Sequence, residues 1–199
     1  QLLDATDGSH VWANEYERDL EAAGVFEIQA EIAASVAGRL GGGYGEIAQE
    51  HRRLESYVAP DNLTSYECIL RLYEYWMIFT PEKHEEVRDC LEFAVEAEPT
   101  YAEAWAGLTW IYADEFRFGY NTLPDSIQRS LDAGLKAVSL DPGSVMAHWT
   151  LAITYFNTQE LDSFFDYADR ALELNPNDPV TLAALGEKMV YAGYLERGV

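Results

Sequence analysis

The chain has few basic residues. Its 199 residues include 13 Lys and Arg against 35 Asp and Glu, which gives a formal net charge of -22. Such a surface repels the phosphates of nucleic acids and anionic lipid headgroups. We therefore expect neither a nucleic-acid partner nor a membrane partner. Because 13% of the residues are aromatic, the charge is better explained by solvated faces of folded helices than by a disordered acidic tail.

Long apolar runs are also absent. The sequence has no stretch of about 18 apolar residues and no basic, apolar leader of the kind that directs secretion. We therefore expect a soluble chain in the cytoplasm.

Cysteine and histidine are too sparse and too scattered to indicate a site. Cys68 and Cys90 are too few for a disulfide framework, so we expect reduced thiols in the core. The histidines at positions 10, 51, 84 and 148 form no His-Glu-x-x-His pattern. Neighbouring carboxylates such as Glu85 and Glu86 are expected by chance on so acidic a chain. The sequence thus offers no catalytic residue, metal or cofactor.

What the sequence does contain is a short phrase that occurs three times. Residues 94–99, 137–142 and 171–176 each begin with Ala and end with Pro. The last two prolines are 34 residues apart, the length of a two-helix repeat, whereas the first two are 43 apart, which leaves nine residues as an insertion. Because proline cannot continue a helix, each phrase is predicted to end the second helix of a unit.

The N-terminal part follows a different pattern. Asp7-Gly8 lies between two short apolar segments, which predicts a β-hairpin. Apolar residues then recur every four positions from Ile28 to Leu40, which predicts a helix over about residues 22–40. The glycine-rich stretch 41–45 lacks the Lys-Ser/Thr of a phosphate-binding loop, so we interpret it as a flexible joint.

These patterns divide the chain into three regions. Residues 1–45 are the hairpin, helix and linker, residues 46–61 are a connecting helix and a second joint, and residues 62–199 hold the repeats. The predicted repeats are 62–99, 100–142 with the insertion, 143–178, and 179–199, which is incomplete. We place the insertion at about residues 114–123 and the start of the next helix near Pro124.

The repeat spacing also predicts the core and the ends of the stack. The residues expected to be buried are Trp105, Leu108, Leu151, Tyr155, Leu172 and Leu185. Because the fourth unit is unfinished, we expect the chain to be part of a longer protein. We also expect Leu182, Leu185 and Met189 to keep an uncovered side that favours self-association.

Residues 62–199 resemble the tetratricopeptide repeat family. The resemblance is carried by Trp105-Leu108-Tyr112, Leu151-Ala152-Tyr155, Leu185-Gly186 and the proline-terminated phrases. It implies an all-α fold, an α-α superhelix or solenoid, preceded here by a small β-hairpin and a helix left from an upstream α/β domain.

A narrower resemblance covers the whole chain. Residues 3–5, 8–12, 15–20, 26–29 and 31–33 resemble the end of the TolB-like α/β domain that precedes such repeats in bacterial multidomain proteins. Those proteins often carry an upstream class III adenylate or guanylate cyclase domain or a winged-helix transcription regulator. Neither domain is present in these 199 residues, so this resemblance concerns the parent protein.

By the family's pattern, the first helices of the repeats line a concave groove. The groove positions are Tyr73, Trp76, Glu103, Trp110, Asp114, Trp149, Phe156, Asn157, Glu187 and Tyr191. This set is aromatic and acidic, and it lacks the Lys and Arg with which related families hold a terminal carboxylate. For any single aromatic residue, core packing is an equally good interpretation.

The resemblance therefore implies a non-catalytic scaffold that binds a basic or apolar protein segment, from another chain or from its own polypeptide. The alternative is that this region regulates a bacterial nucleotide cyclase, a signalling enzyme whose catalytic domain lies outside the sequence. The two hypotheses differ in the parent's activity, because the first needs no enzyme and the second does.

Overall fold

The computed structural model describes residues 2–3, 8, 10–13, 15, 28–30, 32–33, 36, 64–121 and 123–197. The chain divides into two compact units, Gln1–Tyr57 and Val58–Val199. The predicted glycine joint at 41–45, the connecting helix and joint within 46–61, and the histidine at position 51 lie outside the described residues. The finer boundaries between repeats stay predictions.

The first unit contains a two-stranded antiparallel sheet. Strand β1 (Leu2–Leu3) pairs with β2 (His10–Trp12), with Leu2 opposite Trp12 and Leu3 opposite His10. Gly8 has a φ of 73°, a left-handed conformation that glycine adopts without steric cost. Residues 28–30, 32, 33 and 36 are helical. The predicted hairpin and the predicted helix are both confirmed at these positions.

The second unit is built from seven α-helices and a short 3₁₀ turn within its described residues. They are α1 (Ser65–Ile78), α2 (Pro81–Ala97), α3 (Ala102–Phe118), α4 (Ser126–Leu140), α5 (Val145–Asn157), α6 (Leu161–Leu174), α7 (Pro179–Tyr191) and the turn Leu195–Arg197. Helices pack in the consecutive pairs α1–α2, α3–α4 and α5–α6. In addition, α3 contacts α1 and α5, and α5 contacts α7. This is the predicted tetratricopeptide-type stack of helix pairs.

Polar residues fix where the helices begin. Thr64 and Glu67 form a reciprocal capping box at the start of α1. Thr80 accepts a hydrogen bond from the Lys83 amide at 3.3 Å and is followed by a proline in the first turn of α2. Asp178 caps α7 in the same way through the Thr181 amide, at 2.8 Å. These local signals let each pair form at a defined place in the chain.

The core agrees with the predicted residues in part. Leu108, Leu151 and Leu185 are buried, as expected. Trp105 and Tyr155 are only half-buried, because the Trp105 indole donates to the Pro99 carbonyl at 3.0 Å and the Tyr155 ring stacks on Tyr167 near the surface. Leu172 is also half-buried, in the last turn of α6. The prediction of full burial was therefore wrong for these three.

The insertion differs from the prediction. Helix α3 runs through its first half to Phe118 and ends at Gly119, whose φ is 68°, and α4 starts at Ser126 rather than near Pro124. The loop that follows folds back onto the first helix pair. The Tyr120 hydroxyl donates to the Phe79 carbonyl at 3.0 Å, and the Phe118 and Phe79 ring centroids are 6.3 Å apart. The insertion is thus a longer helix followed by a packed loop.

The two cysteines form a disulfide, so the expectation of reduced thiols was wrong. Cys68 on α1 and Cys90 on α2 have Cα atoms 5.4 Å apart and a sulfur–sulfur distance of 2.07 Å. Both lie in the core. Residues equally far from the turn of a helix pair face each other, and these two are each eleven residues from Phe79. The bond therefore links the two helices of the first pair.

The last helix is better covered than expected. Leu185 and Met189 are buried, because α7 packs on α5 and α6 through them, and Leu182 remains 47% exposed. The expected uncovered side is therefore limited to Leu182 among the three predicted residues. No helix in the described part of the chain is long and apolar enough to cross a membrane.

Candidate functional site

The predicted groove positions fall into two groups with different exposure. The first group is nearly or fully buried and consists of Tyr73, Trp76, Trp110, Asp114 and Trp149. The second group is at least partly accessible and consists of Phe156, Asn157, Glu187 and Tyr191. We call these groups the closed half and the open half. Glu103 is half-buried at the edge of the closed half.

Three tryptophans form the centre of the closed half. They come from three successive first helices: Trp76 from α1, Trp110 from α3 and Trp149 from α5. Their ring centroids are 6.1, 5.5 and 5.2 Å apart, with the planes tilted or edge-on. Edge-to-face contacts of this kind add to the stabilisation that burial of the rings already provides. The cluster therefore joins three helix pairs across the face predicted to line the groove.

Hydrogen bonds tie the edge of the closed half together. The Tyr73 hydroxyl donates to Glu103 Oε1 at 2.8 Å, and the Tyr101 hydroxyl donates to Glu103 Oε2 at 3.3 Å. Burial, with the nearby Glu103 carboxylate, raises the pKa of Tyr73 far above its usual value. Both tyrosines are donors at neutral pH, so the Glu103 carboxylate of α3 is held by Tyr73 of α1 and by Tyr101, which directly precedes α3.

Asp114 is fully buried and has two donors. The Tyr75 hydroxyl donates to Oδ2 at 2.8 Å, and Arg117 Nη1 donates to Oδ1 at 2.9 Å. Burial raises the pKa of Asp114 to about 6, while the charge of Arg117 and the hydrogen bond from Tyr75 act in the opposite direction. The Arg117 guanidinium also lies 5.5 Å from the Trp110 ring centroid and 4.8 Å from that of Phe118.

The open half lies where α5 and α7 end. Tyr191 is 69% exposed, and Lys188 Nζ lies 5.5 Å from its ring centroid while donating to Glu187 Oε2 at 2.7 Å. That hydrogen bond holds the pKa of Glu187 below its usual value, and the charge of Arg117 acts in the same direction. Glu187 is therefore ionised at neutral pH. The side-chain nitrogen of Asn157 is buried and has no hydrogen-bond partner among the described residues.

Sequence reasoning missed the two cations in this region. The expectation that Lys and Arg are absent from the groove was wrong, because Arg117 lies beside Asp114 and Lys188 beside Glu187. Arg117 follows Asp114 by three residues on one helix, a spacing that brings side chains together. That three-residue spacing is visible in the sequence and predicts the pairing of Arg117 with Asp114. The family's groove positions do not include Arg117.

The histidines within the described residues do not form a site. His84 is buried, with Nε2 3.0 Å from the Ile111 carbonyl oxygen, and His148 Nε2 is 3.0 Å from that of Pro142. No group of three or more His, Cys, Asp or Glu side chains is placed to hold a metal in the part of the chain that the structure describes.

Comparison with known proteins gives limited likenesses, and no protein-family model matches the chain. A protein of Rhizobium meliloti (strain 1021) named "Putative adenylate cyclase 3" is 28% identical over 163 residues, which cover 81% of this chain. The chain spans about a quarter of that relative's length, 27%.

Two solved structures have a similar arrangement of the chain. The crystal structure of MamA has a TM-score of 0.46 and 18% identity, and covers 78% of this chain and 82% of its own. MamA MSR-1 C2 has a TM-score of 0.45 and 16% identity, and covers 91% of this chain and 92% of its own. Because both scores are below 0.5, the fold assignment rests on the helix pairs themselves.

Proposed function

We propose that the unit Val58–Val199 is a non-catalytic protein-interaction module that holds a protein segment along the open half. The observation that carries this proposal is Tyr191, an aromatic ring 69% exposed beside the ionised Glu187. An exposed ring next to a carboxylate suits a partner that combines apolar surface with a Lys or Arg side chain. The segment belongs to another protein or to the same polypeptide.

Nearby cations neutralise part of the negative charge of the groove positions, so the partner does not need to be strongly basic. Arg117 pairs with Asp114, and Lys188 pairs with Glu187, so most of the acidic character predicted for the groove is compensated. These groups favour a mainly apolar segment with one or two basic side chains over a polybasic one.

Peptide binding tests the proposal. Fluorescence anisotropy would compare labelled apolar peptides that differ only in carrying two Lys or two Glu, at low and high salt. We expect the Lys peptide to bind more tightly and its affinity to fall as salt rises, because the charges involved are near the surface. Tighter binding of the Glu peptide would overturn the proposal.

A matched pair of variants locates the binding. Glu187→Gln on α7 should weaken the binding of the Lys peptide. Glu173→Gln on α6 is the control, because that carboxylate is also exposed and paired with one cation, Arg170. Equal effects of the two variants would mean that only the overall charge of the chain matters.

A second proposal follows from the likeness to the cyclase-named protein, which is 28% identical. In that case this region regulates a nucleotide cyclase, and the bound segment lies in the same polypeptide. The parent protein would be assayed for conversion of ATP or GTP to the cyclic nucleotide, with and without Tyr191→Ala. A changed rate with an intact fold supports this role, and absence of cyclase activity in the parent excludes it.

Self-association and a cytoplasmic location are further parts of the proposal. Leu182 is an exposed apolar residue of α7, and it would contact a second copy. Light scattering of the chain at rising concentration tests self-association, and a monomer at every concentration would contradict it. Fractionation of cells that express the parent protein tests the cytoplasmic location.

A further inference from the structure

Four exposed apolar residues lie around the end of the first helix, outside the predicted groove positions. Met77 is 71% exposed and Ile78 is 56% exposed, and the two directly precede Phe79 in the chain. The Phe79 ring contacts that of Phe118, with centroids 6.3 Å apart, and both rings are partly exposed. We call these four residues the apolar corner. Adjacent exposed apolar side chains of this size mark interaction surfaces more often than isolated ones do.

Phe79, one of the four corner residues, is held in a fixed conformation. Phe79 has a φ of 50°, a left-handed conformation that is costly for a bulky residue. Its amide donates to the Tyr75 carbonyl at 2.9 Å, and its carbonyl accepts from the Tyr120 hydroxyl at 3.0 Å. Its ring also lies 5.0 Å from that of Tyr75. A side chain held in this way loses little entropy on binding.

The insertion supplies one of the four corner residues and a loop residue that contacts another. Phe118 belongs to the extension of α3, and Tyr120 to the loop that follows it. The third repeat, which has no insertion, ends its first helix at Asn157 and turns directly into α6. Packing of one helix pair against the next therefore does not need these aromatic residues, and Phe118 remains 44% exposed.

Charge indicates which partner fits the corner. Lys83 pairs with Glu74 and Glu86, and Arg117 pairs with the buried Asp114, so the nearby cations are already neutralised. The chain as a whole carries a net charge of -22. This charge disfavours a strongly acidic partner at the corner and favours a basic one.

The geometry points to an amphipathic helix rather than a strand. In the stretches 64–121 and 123–197 the structure contains no strand whose edge is open to pairing. A partner helix satisfies its own backbone and needs only side-chain contacts. We propose that the apolar corner docks a basic amphipathic helix, with apolar residues on one face and Lys or Arg on the other. This site shares no residue with the open half.

NMR of the methionine methyl groups tests the proposal, because each methionine reports on its own part of the chain. The chain has three methionines. Met77 is in the corner, Met146 is half-buried on α5, and Met189 is buried on α7. The probe is a synthetic amphipathic helix of Leu and Lys, about 18 residues or five turns long. We expect a saturable shift of the Met77 methyl and none for Met189.

Three variants sharpen the test. Ile78→Ser should weaken binding about tenfold or more. Phe79→Gly should do the same while keeping the fold, because glycine adopts the left-handed conformation without cost. Phe93→Ser is the control, since Phe93 is 54% exposed but lies about 18 Å further along α2 from its first turn. Thermal unfolding of each variant checks that it is folded.

Several results would overturn the proposal. These are no shift of Met77, an equal shift with a scrambled Leu/Lys peptide or with a Leu/Glu helix, or an equal loss of binding in Phe93→Ser. A shift of Met189 that Tyr191→Ala removes would place the peptide on the open half. That outcome would support the proposed function while rejecting the apolar corner as the docking site.

Discussion

The closed and open halves lie on the same series of helices and contain similar residue types. These residues are buried in the closed half and accessible in the open half. In the closed half, Trp76, Trp110 and Trp149 contact one another and are almost fully covered. In the open half, Tyr191 projects into solvent beside an ionised carboxylate. The difference teaches that an aromatic residue at a groove position is not by itself a binding residue. Whether such a residue packs in the core or faces a partner depends on its neighbours on the adjacent first helices.

The largest effect expected from this comparison concerns Trp110. Its removal leaves a cavity between three helix pairs, so Trp110→Ala should lower the free energy of unfolding by about 3–5 kcal/mol. Urea denaturation measures this value. Tyr191→Ala is the matched control from the open half, and it should change the free energy by no more than about 0.5 kcal/mol. Similar losses for the two variants would remove the distinction between the halves.

Local features of the fold were predictable from the sequence. The proline-terminated phrases and polar helix starts such as Thr80 act through nearby backbone groups, and they locate the helix pairs correctly. The extension of α3 was not predicted. Nothing before Gly119 stops that helix, and a count of repeat lengths does not say whether inserted residues continue a helix or leave it.

Contacts between distant residues were harder to predict. The tryptophan cluster depends on how three successive first helices approach, and the sequence pattern of any one helix does not contain that information. The disulfide between Cys68 and Cys90 was missed for a similar reason, although their equal distance from Phe79 was a usable signal. The open half was predicted by family position, whereas the pairing of Lys188 with Glu187 was not.

The next effect concerns the buried carboxylate of the closed half. The pKa of Asp114 is raised by burial from 3.8 to about 6, so the folded state holds this proton more tightly than the unfolded state. Its stabilising contribution is present below about pH 4 and is lost as the pH rises through about 6. The pKa shift corresponds to a change in the free energy of unfolding on the order of 2–3 kcal/mol.

The variant Asp114→Asn isolates this contribution. Burial lowers the pKa of the nearby core residue His84, which gives a pH dependence of opposite sign, so the useful quantity is the difference between wild type and variant. Tyr75 does not titrate in this range, because burial raises its pKa. Unfolding measured between pH 4 and pH 7 should show stability that falls with pH relative to the variant. Parallel curves would contradict the assignment.

The central claim is that the open half binds the partner while the closed half maintains the fold. Its most direct test measures unfolding and peptide affinity on the same Tyr191→Ala protein, with the apolar Lys peptide as ligand. We predict a free energy of unfolding within about 0.5 kcal/mol of wild type and an affinity reduced about tenfold. Unchanged affinity in this folded variant would contradict the claim.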